Sequence, residues 1–314
     1  MKLYIGVTDK HWFDFLSERK PDEINFWRPS AIQSFRALKA GELFLFKLHS
    51  PLNYIVGGGF FVTYSALPIK LAWESFKVKN GAPDFMTFFS NISNYFTGKS
   101  KINTDPLIGC IILAYPFFFK EDEWIQAPSD WGRGIQRGKT YDITKGIGEA
   151  LWNQVMKRLK KSYEFILGEV DEHRKAELDQ PRYGKEFLTH SRLGQGSFRV
   201  LVTDAYKRSC AITGGKILPV LEAAHIKPFS ESGPNRISNG LLLRSDFHGL
   251  FDSGYITLTK DFRVEVSNKL KEDFDNGEEY LSYQGKNLIK IPENKFDLPS
   301  IEFIEWHNEN VFVG

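Results

Sequence analysis

The stretch from Leu221 to Asp252 constrains the fold of this chain most. It reads Leu221-Glu-Ala-Ala-His225-Ile-Lys-Pro228, then a turn-rich loop to Ser238, then Asn239-Gly-Leu-Leu-Leu-Arg-Ser-Asp-Phe-His248-Gly-Leu-Phe-Asp252. Val220–Ile226 is a short apolar run carrying one histidine, which reads as a strand. Asn239-Gly240 is a tight-turn dipeptide that opens a second strand, Leu241–Leu243. Asp246–Phe251 reads as the start of a helix, with Ser245 as its cap. The order strand, loop, strand, helix brings His225, Asn239 and His248 onto one compact ββα unit.

Such a unit suits phosphodiester hydrolysis. A neutral histidine on a strand can take a proton from water, because its pKa lies near working pH. An asparagine can fix that histidine's orientation or contribute an oxygen ligand. A histidine on the helix can hold one divalent ion, which stabilises charge on the phosphate and the leaving oxygen. A single histidine in an apolar strand is more often a satisfied core residue. The ordered set with its framing residues shifts that balance.

The pattern AHIxP, NGLLL, HxLFD resembles the HNH (ββα-metal) endonuclease family, in particular the branch with a lead-in like Cys210-Ala-Ile-Thr-Gly214 and no zinc-binding cysteines. Leu193-Gly-Gln-Gly-Ser-Phe-Arg199 ahead of the motif and Trp306-His307 near the C-terminus extend the likeness weakly. The resemblance implies that His225 is the general base, Asn239 the central motif asparagine and His248 a metal ligand. It also implies one Mg²⁺ (or Mn²⁺, or another divalent ion) per active site, with a 5′-phosphate and a 3′-hydroxyl as products. One position departs from the pattern. Many HNH proteins carry a ligating Asp or His just before the base, where this chain has Ala224. Glu222 lies two residues earlier, on the same strand face by alternation. Asp252 lies four after His248, on the same helix face. Both are candidate ligands. Asp246 is a third, equally suited to a helix cap, and His307 reads as structural. Cys210 stands where some HNH proteins begin a zinc knuckle, but without partner cysteines it reads as a small buried apolar residue.

Bulk composition narrows the surroundings of this motif. At 314 residues, two domains are the natural expectation. The net charge of +2 does not mark a nucleic-acid binder. Local charge says more: Arg182, Lys185, Arg192, Arg199, Lys207 and Arg208 face only Glu186 and Asp204 in the stretch leading into the motif. Lys157, Arg158, Lys160 and Lys161 form a second cluster, which a solvated face would explain equally well. The two cysteines, Cys110 and Cys210, give neither a disulfide framework nor a CxxC pair. The N-terminus lacks the features of a signal peptide, and no apolar run reaches 18 residues. A cytoplasmic protein with no membrane partner is expected.

Residues 1–143 look β-rich, with strand-like runs at Lys2–Thr8, Glu42–Leu48, Tyr54–Tyr64 and Leu107–Phe119. Helical stretches at Ile69–Phe76 and Phe85–Phe96 interrupt them. Mixed strands with inserted helices suggest a small barrel. A long helix over roughly Lys145–Leu167 follows, with an apolar stripe of Ile147, Leu151, Val155, Leu159 and Ile166. Asn25-Phe-Trp27-Arg-Pro29, Phe35-Arg-Ala-Leu-Lys-Ala-Gly-Glu-Leu-Phe-Leu-Phe46 and Ile55-Val-Gly-Gly-Gly-Phe-Phe61 resemble the EVE branch of the PUA-like superfamily, alongside the ASCH and SRA-like readers. The insertion from Ala66 to Thr104 departs from its compact forms. Such domains hold RNA, or grip a modified base flipped from DNA between aromatic walls, where stacking offsets the few kcal/mol that flipping costs. Trp27, Phe60, Trp131 and Tyr141 are candidate walls, each individually more often a core residue. Arg28, Arg133, Arg137 and Lys139, with Arg199 farther on, are candidates to meet the DNA backbone. Gly57–Gly59 lacks dinucleotide-loop spacing and reads as a bulge or a close backbone approach.

The expected architecture is α+β: a PUA-like β-barrel with inserted helices over 1–143, a helical linker over 144–184, and an HNH domain over 185–314. The joint resemblance implies a modification-dependent endonuclease of restriction type, acting on double-stranded DNA with a modified base, expected to be a cytosine. Since one HNH site cuts one strand, a homodimer is expected. Two other readings stand beside it: an HNH nuclease acting on RNA or unmodified DNA, and a nucleic-acid-binding protein whose HNH unit is inactive because of Ala224.

Overall fold

Leu43-Phe44-Leu45-Phe46 sets the character of the N-terminal half. All four side chains are fully buried, so both faces of their strand meet apolar partners. The computed structural model describes residues 1–96, 105–132, 134–167 and 193–314. The chain divides into two compact units, Met1–Ser191 and Arg192–Gly314. Among the described residues no helix is long and apolar enough to cross a membrane.

The first unit runs β1 (Lys2–Thr8), α1 (Lys10–Arg19), β2 (Glu23–Arg28), β3 (Leu43–Leu48), β4 (Tyr54–Pro68), α2 (Ile69–Phe76), α3 (Phe85–Ser93), β5 (Leu107–Phe118), β6 (Ile125–Gln126), β7 (Gly138–Asp142) and α4 (Gly146–Leu167). The strands hydrogen-bond in the order β2-β5-β4-β3-β1-β7, with β6 added to β4. β1 and β3 are parallel, with Ile5 opposite Leu45. Strand alternation sorts the core into two layers. Leu3, Ile5, Leu43, Leu45 and Ile55 face α4, which covers them with Leu151 and Val155. Phe26, Phe44, Phe46, Val56 and Leu113 face the other way, onto Trp12, Phe13 and Leu16 of α1. The helix assigned above to the start of the linker therefore packs on the first unit. The rest of that linker, 168–184, lies outside the described residues, as do Arg133, residues 97–104 of the insertion, and Arg182, Lys185 and Arg192 of the basic stretch.

Gly57–Gly59 is the close approach expected from its sequence. A side chain at Gly57 would strike the Phe117 carbonyl, and one at Gly58 would sit 2.5 Å from the Phe44 carbonyl. The β4–β5 register shifts between Gly58 and Phe60, which lets the long strand bend. The inserted α2–α3 segment is fastened by Asn80, whose carbonyl accepts from the Trp12 indole (3.2 Å) and the Trp27 indole (3.0 Å).

The second unit runs α5 (Gln195–Ala205), β8 (Leu221–His225), β9 (Gly240–Arg244), α6 (Ser245–Asp252), β10 (Ile256–Leu258), β11 (Val264–Val266), α7 (Lys269–Phe274), α8 (Glu278–Leu281) and α9 (Ile301–Asn310). β8 and β9 form one two-stranded sheet, β10 and β11 another. Phe198 and Val202 of α5, Leu241–Leu243 of β9, and Phe247 and Phe251 of α6 share one core with Ile304 of α9. The mixed α+β class is as expected. His307 is structural: its Nδ1 lies 2.8 Å from Thr257 Oγ1 and its Nε2 3.0 Å from the Phe251 carbonyl. Burial holds its pKa down at about 4. Cys210 is buried, and its Sγ also accepts from the backbone N–H groups of Thr213 (3.4 Å) and Arg244 (3.3 Å). It thereby ties the Cys210–Gly214 turn to the end of β9.

Candidate active site

The β8–β9 ladder fixes where the chemistry-bearing side chains stand. Ala224 pairs with Leu241, and His225 with Gly240. α5 packs directly behind this pair. A side chain at Gly240 would sit 2.5 Å from Val202 and 3.0 Å from the Phe198 ring, so only glycine lets the helix approach so closely. The Phe198 ring in turn stacks on the His225 imidazole, with centroids 3.9 Å apart and planes within 13°.

His225 Nε2 lies 2.7 Å from Asn235 Oδ1. Burial lowers the His225 pKa; the Asn235 hydrogen bond and the Asp252 charge pull it back up, and the His248 charge adds to the lowering. His248 of α6 contacts Glu222 of β8, the strand that ends in His225, so both imidazoles stand on one ββα unit. Apolar stacking and partial burial favour the neutral ring, the form a general base needs.

Asn239 does something other than touch His225. It is fully buried, and its whole amide is spent on loop backbone. Oδ1 accepts from Lys227 N (2.9 Å), while Nδ2 donates to the carbonyls of Lys227 (2.9 Å) and Pro234 (3.0 Å). It is a clamp across the mouth of the β8–β9 loop. The side chain on His225 is Asn235, which sequence reasoning passed over. An asparagine after a proline in a turn-rich loop looks like turn chemistry, and nothing in the sequence separates the two roles.

His248 lies between the two carboxylates named from spacing. Its Nδ1 is 2.6 Å from Glu222 Oε2 and its Nε2 is 3.2 Å from Asp252 Oδ2. The Asp252 hydrogen bond, followed by that of Glu222, raises its pKa against the effect of burial. Asp246 belongs elsewhere. It forms a two-pronged ion pair with Arg244 (2.7 and 2.5 Å) and accepts from the Tyr280 hydroxyl. Nor is Ser245 a cap, since α6 begins there without a side-chain cap.

The nitrogen and oxygen donors of His248, Glu222 and Asp252 suit a divalent ion of the Mg²⁺–Mn²⁺–Zn²⁺ range. They bracket the imidazole from opposite ends, however. An ion on one ring nitrogen could take only the carboxylate at that end, and the other would orient the ring. Among the described residues no group of three or more His, Cys, Asp or Glu side chains is disposed to hold a metal ion.

In the first unit a cleft of about 1750 Å³ opens beside β2, β3 and residues 126–132 and 135–137; Tyr4, Trp12, Trp27, Arg28, Lys47 and Trp131 are among its walls. Two of the four expected aromatic walls, Trp27 and Trp131, are there. Phe60 and Tyr141 are not. Phe60 pairs with Leu43 and Tyr141 with Leu3, so both pack in the α4 layer, and the Tyr141 hydroxyl donates to Asp130. Strand alternation decided their side, and that needs the register. Arg28 and Arg137 line the cleft. Lys139 is held by Asp130 at 2.7 Å, and Arg199 lies on α5 of the second unit, next to Phe198.

Lys47 was not anticipated. It is 2% exposed, and its Nζ donates to the Leu48 carbonyl (2.9 Å) and Asn53 Oδ1 (2.8 Å). The ammonium lies 5.0 Å from the centre of the Trp131 ring. Among the described residues no carboxylate pairs with it, and desolvation lowers its pKa. A lysine inside a run of Leu and Phe carries no mark of a pocket until the sheet is assembled.

Residues 210–259 match the HNH endonuclease family. No curated protein matches the chain. Among solved structures, the chain is similar to the modification-dependent restriction endonuclease TagI, with 21% identity, 36% of this chain and 37% of that chain covered, and a TM-score of 0.28. It thus spans little more than a third of TagI. It is also similar to the ASCH protein of Zymomonas mobilis (10% identity, 42% of this chain and 88% of that one, TM-score 0.26) and to a point mutant of it (8% identity, 51% and 94%, TM-score 0.30). His225, Asn239, His248 and Asp252 all fall inside the family match, on the strand–loop–strand–helix arrangement expected of it, and the second unit therefore carries an HNH endonuclease domain.

Proposed function

We propose that the protein is a modification-dependent DNA endonuclease whose first unit receives a modified base, a modified cytosine above all, and whose second unit hydrolyses a phosphodiester bond. The observation that carries the catalytic half is the contrast between two histidines on one ββα unit. His225 rests on an apolar ring and a neutral amide, while His248 lies between two carboxylates.

In this reading His225 takes a proton from water as the water oxygen bonds to phosphorus. The P–O3′ bond then breaks, and the leaving oxygen is protonated from solvent, giving a 5′-phosphate and a 3′-hydroxyl. A single divalent ion supplies charge stabilisation at the phosphate and the leaving oxygen. His248 would hold it together with Asp252 or Glu222, and water would have to take the place of the ligand that Ala224 does not provide. The carboxylate that does not hold the ion would orient the ring.

The cleft between Trp27 and Trp131 supports the reader half. Its aromatic rings offer stacking surfaces, and Arg28 and Arg137 offer charge for phosphates. Cutting both strands takes two copies of the chain.

The test is incubation with Mg²⁺ or Mn²⁺ and matched plasmids that are unmodified, 5-methylcytosine-containing or 5-hydroxymethylcytosine-containing, with RNA alongside. Cleavage confined to a modified plasmid is expected. Equal cleavage of every DNA removes the reader assignment, cleavage of RNA alone removes the DNA assignment, and binding without cleavage leaves the HNH unit inactive.

A further inference from the structure

We infer that Asn235 is the positioning residue that sets the tautomer of His225, leaving Nδ1 as the nitrogen that accepts the proton. This inference rests on the reading of His225 as the general base. It concerns a residue to which neither spacing nor family likeness assigned a role.

The Asn235 side chain is 8% exposed and meets two partners. Its Nδ2 lies 2.7 Å from the carbonyl of Leu193, just ahead of α5. A carbonyl can only accept, so the NH₂ end of the amide must face Leu193 and the oxygen must face the imidazole. That settles the ambiguity an amide carries when oxygen and nitrogen look alike. The amide oxygen also only accepts, so at 2.7 Å His225 Nε2 must donate. A neutral imidazole has one N–H. With the proton on Nε2, the lone pair is on Nδ1.

The environment then keeps the ring in that state. Its face is covered by Phe198, and its direct partner is a neutral amide rather than a carboxylate. The charged and titratable groups that act on it are Asp252 and His248, both from α6.

Asn235 is itself held in place. Asn239 Nδ2 donates to the carbonyl of Pro234, the residue immediately before it, and Gly233 N donates to the Pro228 carbonyl. The two asparagines act in series, Asn239 fixing the loop and Asn235 fixing the ring. The buried central asparagine thus influences His225 without touching it.

The decisive measurement is ¹⁵N NMR of the histidine rings in the intact protein without added metal. The His225 signals are assigned by their loss in His225→Ala, and the rings are read above neutral pH, where imidazole is uncharged. The wild type should show the Nε2–H form at His225. Asn235→Leu should give a mixture of both tautomers and a 10- to 100-fold lower kcat, of the size seen when a partner orienting a site ligand is removed, with little change in KM for DNA. Asn235→Asp keeps an accepting oxygen, so Nε2 should stay protonated, in the neutral ring or in the imidazolium that a carboxylate favours. An Nδ1–H ring in the wild type overturns the inference, and so does Asn235→Leu with an unchanged tautomer or unchanged kcat. Because the wild-type spectrum decides by itself, an unstable variant does not blunt the test. Loss of the general-base reading would show separately, as cleavage that survives His225→Ala.

Discussion

Two imidazoles of the same chain are tuned in opposite directions by what lies within 3–4 Å of them. Burial beneath the Phe198 ring favours a neutral His225 against the opposing pull of the Asn235 hydrogen bond, whereas Glu222 and Asp252 draw a proton onto His248 or, in the proposed function, leave it poised beside an ion. This contrast gives a pH prediction. Because burial depresses the His225 pKa, the base stays deprotonated below the ordinary imidazole value of about 6.5. The acid limb of the kcat profile should therefore fall below that value, and a limb above it would assign the titration to another group. Lys47 gives a second prediction. With two of its three N–H bonds taken by the Leu48 carbonyl and Asn53, the third is available to an acceptor stacked against Trp131, such as a base carbonyl. Lys47→Met, which keeps the stem but removes the donor, should weaken binding of modified duplex by roughly tenfold or more, since a hydrogen bond to a charged group contributes about 1.5–3 kcal/mol. Intrinsic cleavage chemistry should be unchanged in single-turnover assays. Equal affinity of variant and wild type would remove Lys47 from the reader.

At the scale of elements, the active site depends on how closely α5 approaches β9. Gly240 is the point of contact, and adding one methyl there presses on Val202 and on the Phe198 ring that stacks on His225. Gly240→Ala should destabilise the protein by about 1–3 kcal/mol, the usual cost of overpacking, and should lower kcat through the displaced ring; an unchanged melting temperature and kcat would refute the contact. This part of the fold was largely legible in the sequence. The apolar run at 220–226, Asn239-Gly240 and the leucine triplet mark β8, the loop and β9, because turn dipeptides and strand periodicity are local signals. So were β1, α2 and the long α4. What escaped was what depends on register and tertiary packing. α1 has apolar residues at Trp12, Phe13 and Leu16 but no side-chain cap at Asp9. β2 is an almost wholly buried strand without alternation. Phe60 and Tyr141 read as pocket walls because residue type alone cannot tell which face of a strand they occupy; Leu43 and Leu3 opposite them decide it. Asn235 and Lys47 were invisible for the same reason, since each gains its meaning from a partner brought from another segment.

At the scale of the whole molecule, a sheet unit with an aromatic cleft is joined in one chain to an HNH endonuclease domain. The two halves of the proposal are separable by experiment: loss of Lys47 should act on binding, and loss of His225 on chemistry. In the proposed function His225 and His248 serve one scissile phosphate. Single-turnover cleavage of the preferred plasmid tests it most directly, with wild type, His225→Ala and His248→Ala compared at saturating enzyme and with DNA binding measured in parallel. Loss of the general base should lower the rate at least 10²- to 10⁴-fold, loss of His248 should do the same and raise the Mg²⁺ or Mn²⁺ requirement, and chelation should stop the wild type, while DNA binding stays intact in all three. Cleavage by either variant at the wild-type rate would contradict the claim.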